Sequence, residues 1–165
     1  MSMLRILYCT DTLMAGGAEQ QLVELLTQLD RERFQPFVLC LYGSRAGRSL
    51  HFLNDLHRLN VPVAMLDLKW GKTDKFSAVL RTTQFIWKLR PHVVQSVNYH
   101  SNLLIRLSRP FLPPLKVVSG VFIEYSVKQW RYERMSHWLC DVVVCNSKHL
   151  EAQFQAKFSR RRVVF

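Results

Sequence analysis

The segment Leu4–Leu29, LRILYCTDTLMAGGAEQQLVELLTQL, decides how the rest of the chain is read. Leu4 to Cys9 is a short apolar run bounded by polar residues, the pattern of a buried strand. Gly16 and Gly17 follow a brief loop, and then Ala18, Leu22, Leu25, Leu26 and Leu29 recur at helical spacing. A strand that passes through a glycine pair into a helix leaves backbone N–H groups unpaired at the helix start. Glycine has no Cβ to hold an anion away from them, and the helix dipole favours negative charge there. Gly16 and Gly17 are therefore candidate phosphate ligands; the plainer reading is that they only permit a tight turn.

Strand and helix patterns alternate beyond this unit. Strands are expected at Gln35–Leu41, Val61–Leu66, His92–Ser96, Lys116–Ser119, Asp141–Cys145 and Val163–Phe165, with Pro62 marking an edge or a strand start. One intervening helix carries Leu50, Leu53, Leu56 and Leu59. The next, capped by Thr73 or Asp74, carries a stripe of Phe76, Val79, Leu80, Thr83, Ile86 and Trp87 that reads as core against the sheet. Later helices show Leu103, Leu104 and Leu107, and then Leu150, Phe154 and Phe158 behind an Asn146–Ser147 cap. The pattern predicts one α/β domain, a Rossmann-like doubly wound parallel sheet of about seven strands in the order 3-2-1-4-5-6-7.

In such sheets ligands bind beyond the carboxyl ends of the strands, where the strand order reverses. Here that place lies between the first and fourth strands. It brings Gly16 and Gly17 beside the polar run Asn98, Tyr99, His100, Ser101 and Asn102. His100 also fits a helix-capping or locally satisfied role.

Charge is unevenly spread. Residues 1–82 hold 10 Lys and Arg against 8 Asp and Glu, whereas residues 83–165 hold 13 against 4, so +9 of the net +11 lies in the second half. An anionic partner is one explanation, whether lipid headgroups, a diphosphate-linked substrate or nucleic acid; a solvated surface balanced by an acidic partner domain is the other. Val127–Leu139 places Trp130, Met135 and Trp138 among Lys128, Arg131 and Arg134, the composition of a helix lying on a membrane or packing on the sheet. Nucleic acid is not an expected partner, because the basic residues are scattered and form no recognised motif.

Other motifs resolve more simply. GSRAGRS (43–49) lacks the spacing and lysine of a P-loop, which leaves Arg48 unsupported as a phosphate ligand. His137, Cys140, Cys145 and His149 are spaced like metal ligands, but VVVC reads as a strand that separates them, and no metal is expected. No apolar run reaches the about eighteen residues of a membrane span, and the N-terminus does not read as a signal peptide. With four cysteines fitting buried free thiols, a cytoplasmic location is expected, at the inner face of the membrane if the basic helix binds lipid.

GGAEQQLVELLTQL after a first strand resembles the opening of the GT-B glycosyltransferases, specifically the large retaining group called family 4. VVQSVNYHSNLLIRL (93–107), LKVVSGVFIEYS (115–126) and ERMSHWLCDVVVCNSKHLEAQF (133–154) extend the resemblance over nearly the whole chain. It implies that residues 1–165 form the N-terminal, acceptor-side domain, and that the donor-binding C-terminal domain with its spaced glutamates is absent from this chain. It implies transfer of a hexose from a nucleoside-diphosphate sugar to a saccharide or lipid-linked acceptor, with no cofactor. Gly16 and Gly17 would meet the donor phosphate; Asn98, Tyr99, His100, Asn102 and Glu124 would meet the acceptor. Family members commonly carry a histidine where Phe122, Ile123 and Glu124 stand, so Glu124 is the weak candidate for a reacting base. The competing reading is a non-catalytic nucleotide- or nucleic-acid-binding Rossmann-like domain, although both the full G-x-G-x-x-G and an acidic residue ending the second strand are missing.

Overall fold

The computed structural model describes residues 3–43, 50–69, 74–158 and 162–164. The GSRAGRS segment beyond Gly43, with Arg48, and the candidate cap Thr73 lie outside them. β1 (Leu4–Thr10), β2 (Phe34–Cys40), β3 (Val63–Met65), β4 (Val93–Ser96), β5 (Lys116–Val121), β6 (Val142–Cys145) and β7 (Arg162–Val164) form one sheet. Every pairing is parallel, and the order is β3-β2-β1-β4-β5-β6-β7, as the alternating pattern and the resemblance predict.

Parallel strands need crossovers, and helices supply them. These are α1 (Gly17–Gln28), α2 (Leu53–Arg58), α3 (Lys75–Leu89), α4 (Tyr99–Ser108), α5 (Val127–Ser136) and α6 (Lys148–Lys157). Leu22 and Leu26 of α1 and Leu56 of α2 pack with Tyr8 and Val38 on one face of the sheet. Residues of α3, α4 and α6 pack with Leu7, Val94 and Val117 on the other. Buried between the two layers, the second half of β1 exposes neither face, which explains its unbroken apolar run.

Prolines sit where the ladder spares an N–H. Pro36 lies in β2 before the stretch that pairs with β3, and Pro62 just precedes β3 at the sheet edge. Asp74 caps α3 by accepting the Ser77 N–H at 2.9 Å, and Ser147 caps α6 through Leu150.

Two expectations need correction. Helix α2 starts at Leu53, leaving Leu50 and Leu59 outside it. Of the expected α3 stripe, Phe76, Leu80 and Trp87 face outward: Phe76 is 76% exposed and Trp87 48%. Ile86 is buried as expected and Val79 packs against the core, with the small side chains of Ala78 and Thr82 buried beside them. Helix α5 likewise buries the polar Glu133 and Ser136 while exposing Val127 and Met135.

Candidate functional site

The carboxyl ends of β1 and β4, adjacent in the sheet, open on the same rim. Asp11 is the first residue past β1, and only 8% of it is exposed. Its Oδ1 accepts the Ser101 N–H at 2.7 Å, and its Oδ2 accepts the His100 N–H at 3.2 Å. A helix start leaves several N–H groups without partners, and a carboxylate there satisfies both geometry and dipole. Helix α4 is thus capped across the sheet by a residue 90 positions earlier. The same Oδ2 lies 2.8 Å from His100 Nδ1, which fixes the orientation of the imidazole.

A second cross-strand set lies beside it. Asn98 Nδ2 donates to Glu19 Oε1 at 2.9 Å and to Thr10 Oγ1 at 3.4 Å, while Thr12 Oγ1 donates to Glu19 at 3.3 Å. Glu19, in the first turn of α1, is buried. A Cβ on Gly16 would stand 2.5 Å from Glu19 Oε2, so Gly16 makes room for this carboxylate. At Gly17 nothing lies within 4 Å of the Cβ position, and the residue is exposed.

The glycine pair, Asn98 and His100 therefore share one rim, with Asp11 and Glu19 joining them. Sequence reading missed these two carboxylates. Asp11 directly follows a buried strand and Glu19 directly follows the glycine pair, and those placements were the available signals.

The remaining candidates separate. Asn102 is not open to a ligand: it is 1% exposed, accepts from Ser96 Oγ at 2.5 Å, and donates to the Gly120 carbonyl at 2.7 Å and to the Tyr125 hydroxyl at 3.2 Å. It ties β4, β5 and α4 together. Gly120 completes this packing, since a Cβ there would come within 2.9 Å of the Ser96 carbonyl. Tyr99 is half-buried, its ring edge-on to His100 and Tyr125, and burial raises its phenol pKa. Glu124 is exposed and accepts from Gln153 of α6 at 3.0 Å, so its partner lies on a different helix from the His100 cluster.

Behind the rim, Arg106 of α4 and Glu133 of α5 form a fully buried ion pair at 2.6 Å, with Ser119 Oγ accepting from Arg106 Nε. Burial works against the Arg106 cation, yet the groups around it, Glu133 foremost, together outweigh this and hold its pKa above the ordinary value. The outer surface of α5 and α6 is basic. Lys128, Arg131, Arg134 and Lys157 surround Trp130, and the Lys157 ammonium lies 5.0 Å from the centre of that ring. Among the described residues no group of three or more His, Cys, Asp or Glu is placed to hold a metal ion. Nor is any helix among them long and apolar enough to cross a membrane.

The model of Glycosyltransferase Family 4 matches residues 15–165. No curated protein matches the chain. Among solved structures, Anabaena Alr3699/HepE in complex with UDP superposes with a TM-score of 0.72 at 15% identity, covering 98% of this chain and 44% of that one. The lipopolysaccharide outer core galactosyltransferase WaaB gives 0.68 at 13% identity, covering 94% and 43%. A putative UDP-N-acetylglucosamine 2-epimerase from Listeria monocytogenes gives 0.70 at 12%, covering 100% and 45%. These likenesses are of fold, and the chain spans under half the length of each of these proteins.

Proposed function

This chain belongs to Glycosyltransferase Family 4 and has the fold of an N-terminal GT-B domain, and we propose that it supplies the acceptor-side wall of a sugar-transfer cleft. The reaction is transfer of a hexose from a nucleoside-diphosphate sugar to a saccharide or lipid-linked acceptor, in polysaccharide or glycolipid biosynthesis. The observation that carries this reading is that Asn98 and His100 are tied across the β1–β4 rim to Glu19 and Asp11, with Gly17 opening the helix that carries Glu19. HepE in complex with UDP-glucose supports the choice of donor class.

The departing diphosphate needs charge stabilisation in an enclosed site. On this side, the exposed Gly17 and the start of α1 meet it; a second, donor-binding domain completes the cleft and grips the nucleotide. Glu19 keeps anions off Gly16, so contact with phosphate centres on Gly17. The acceptor hydroxyl is met by His100, whose ring Asp11 orients, with Asn98 and Tyr99 beside it. Asn102 acts behind them as a positioning residue. Glu124 lies at the margin, where it hydrogen-bonds an outlying acceptor hydroxyl. No cofactor takes part.

The basic α5–α6 surface, with exposed Val127, Met135 and Trp138, rests on anionic headgroups at the inner face of the cytoplasmic membrane, where a lipid-linked acceptor would be presented.

The test is hexose transfer by the protein expressed from its complete gene, using labelled UDP- and GDP-sugars and membrane lipid extract or oligosaccharide as acceptor. The expected result is labelled product, with His100→Ala lowering kcat/KM at least about tenfold in a folded protein. Absence of transfer with every donor, or an unaffected His100→Ala variant, contradicts the reading.

A further inference from the structure

Beside the rim, α3 and α4 enclose a groove of about 310 Å³, within the size range of small-molecule sites. Its lining changes character along its length. Tyr42 follows β2, Lys69 follows β3, Lys75 opens α3 and His100 lies in the first turn of α4, so all four stand at the carboxyl rim of the sheet. Away from the rim the groove is formed by Ala78 and Val79 of α3 and Leu103, Leu104 and Leu107 of α4. Leu107 lies seven residues beyond His100, about 10 Å further along the helix. Leu41 and Leu68 add to the apolar lining, and both are buried. Leu107 is 41% exposed, so the apolar end reaches the surface.

A polar, cationic end at the transfer rim and an apolar channel descending from it match one kind of ligand. We propose that the α3–α4 groove binds the hydrocarbon chain of a phosphate-linked lipid acceptor, with its phosphate at Lys69 and Lys75 and its sugar-accepting end at His100. This rests on the acceptor-side reading above and narrows it to acceptors carried on a phospholipid-type anchor rather than free saccharides. His100 belongs to both the rim cluster and the groove, so one molecule spans them. Two lysines complement a phosphate's charge, and the leucine walls gain by covering apolar surface otherwise exposed to water.

The test is an amide-shift titration of this chain with geranyl phosphate, compared with geraniol and with inorganic phosphate. The expected result is saturable shifts at Ala78, Val79, Leu103 and Leu104 with geranyl phosphate, weaker ones with geraniol and none there with inorganic phosphate. Lys75→Glu and Leu107→Gln each raise Kd about tenfold, whereas Arg58→Glu, exposed on α2 at the other face of the sheet, leaves it unchanged. Lys75 is exposed at a helix start, where a carboxylate suits the dipole, so that variant keeps the fold. Wild-type affinity in both groove variants, identical shifts with inorganic phosphate, or shifts centred on α5 and α6 would overturn the groove. Transfer that depends on His100 but is indifferent to Lys75→Glu and Leu107→Gln would overturn the groove alone. Geranyl phosphate seated in the groove of a protein that transfers no sugar would keep the groove as a lipid-phosphate site while removing the transferase reading and the acceptor role drawn from it.

Discussion

Asp11 and His100, 89 positions apart in sequence, meet at 2.8 Å between Oδ2 and Nδ1, while Asp11 also accepts the His100 and Ser101 N–H groups. One carboxylate thus caps α4, locks the loop after β1 to the loop after β4, and sets the direction of the imidazole.

Replacing Asp11 by Ala leaves one buried and one partly buried donor without their acceptor. The expected cost is about 1.5–3 kcal/mol, read as a fall in Tm of about 4–10 °C. Asp11→Asn keeps one acceptor oxygen and falls between wild type and Asp11→Ala. Unchanged melting of Asp11→Ala would show that the cap carries no weight.

The Arg106–Glu133 pair separates cost from specificity. Removing one partner strands a buried charge, so Glu133→Leu alone is expected to destabilise by about 3–5 kcal/mol in chemical denaturation. The double variant Arg106→Met, Glu133→Leu restores most of that loss, because the packing space is kept and no charge is buried. A double variant no better than the single one would contradict this.

Burial raises the thiol of Cys40 to about 12 from 9.0 and that of Cys145 to about 11, and pushes Cys9 well up. For a group whose folded pKa is raised, the unfolded chain loses its proton first. The stability these thiols contribute is full below pH 9 and drains away as pH rises from there toward about 12. Denaturation midpoints at pH 8 and pH 11 check this; a Cys40→Ala variant with a shallower alkaline decline is the expected control.

Membrane contact through α5 and α6 predicts co-sedimentation with vesicles containing anionic lipid and little with neutral vesicles. Arg131→Glu with Arg134→Glu is expected to lower the bound fraction severalfold, and added salt to do the same. Equal binding to neutral vesicles, or indifference to both charges, would remove this surface from the account.

The strands and their order were legible because the parallel sheet, covered on both faces, demands short apolar runs, and the glycine pair marked the first crossover. The shared rim of Gly17 and His100 followed from topology. What escaped were residues whose partners lie far away in sequence: Glu19 is explained by Asn98, 79 positions on, and Asp11 by His100. Helical spacing also misled where two stripes coexist on one helix. On α3, Ala78 and Thr82 share with the correctly placed Ile86 a spacing as regular as that of Phe76 and Leu80, and only the fold shows which set lies inward. On α5 the buried face is polar because Arg106 waits beneath it, which no periodicity of that segment reveals. Asn102 read as a ligand-facing amide for the same reason: its partners Ser96, Gly120 and Tyr125 become neighbours only in the fold.

The most direct measurement is an amide-shift titration of this 165-residue chain with UDP-glucose and with GDP-mannose. As one wall of a cleft, the chain should bind weakly, with Kd of about 1 mM or above, and its shifts should cluster at Gly17, Asn98 and His100. Micromolar binding, or shifts that bypass the β1–β4 rim, would contradict the account.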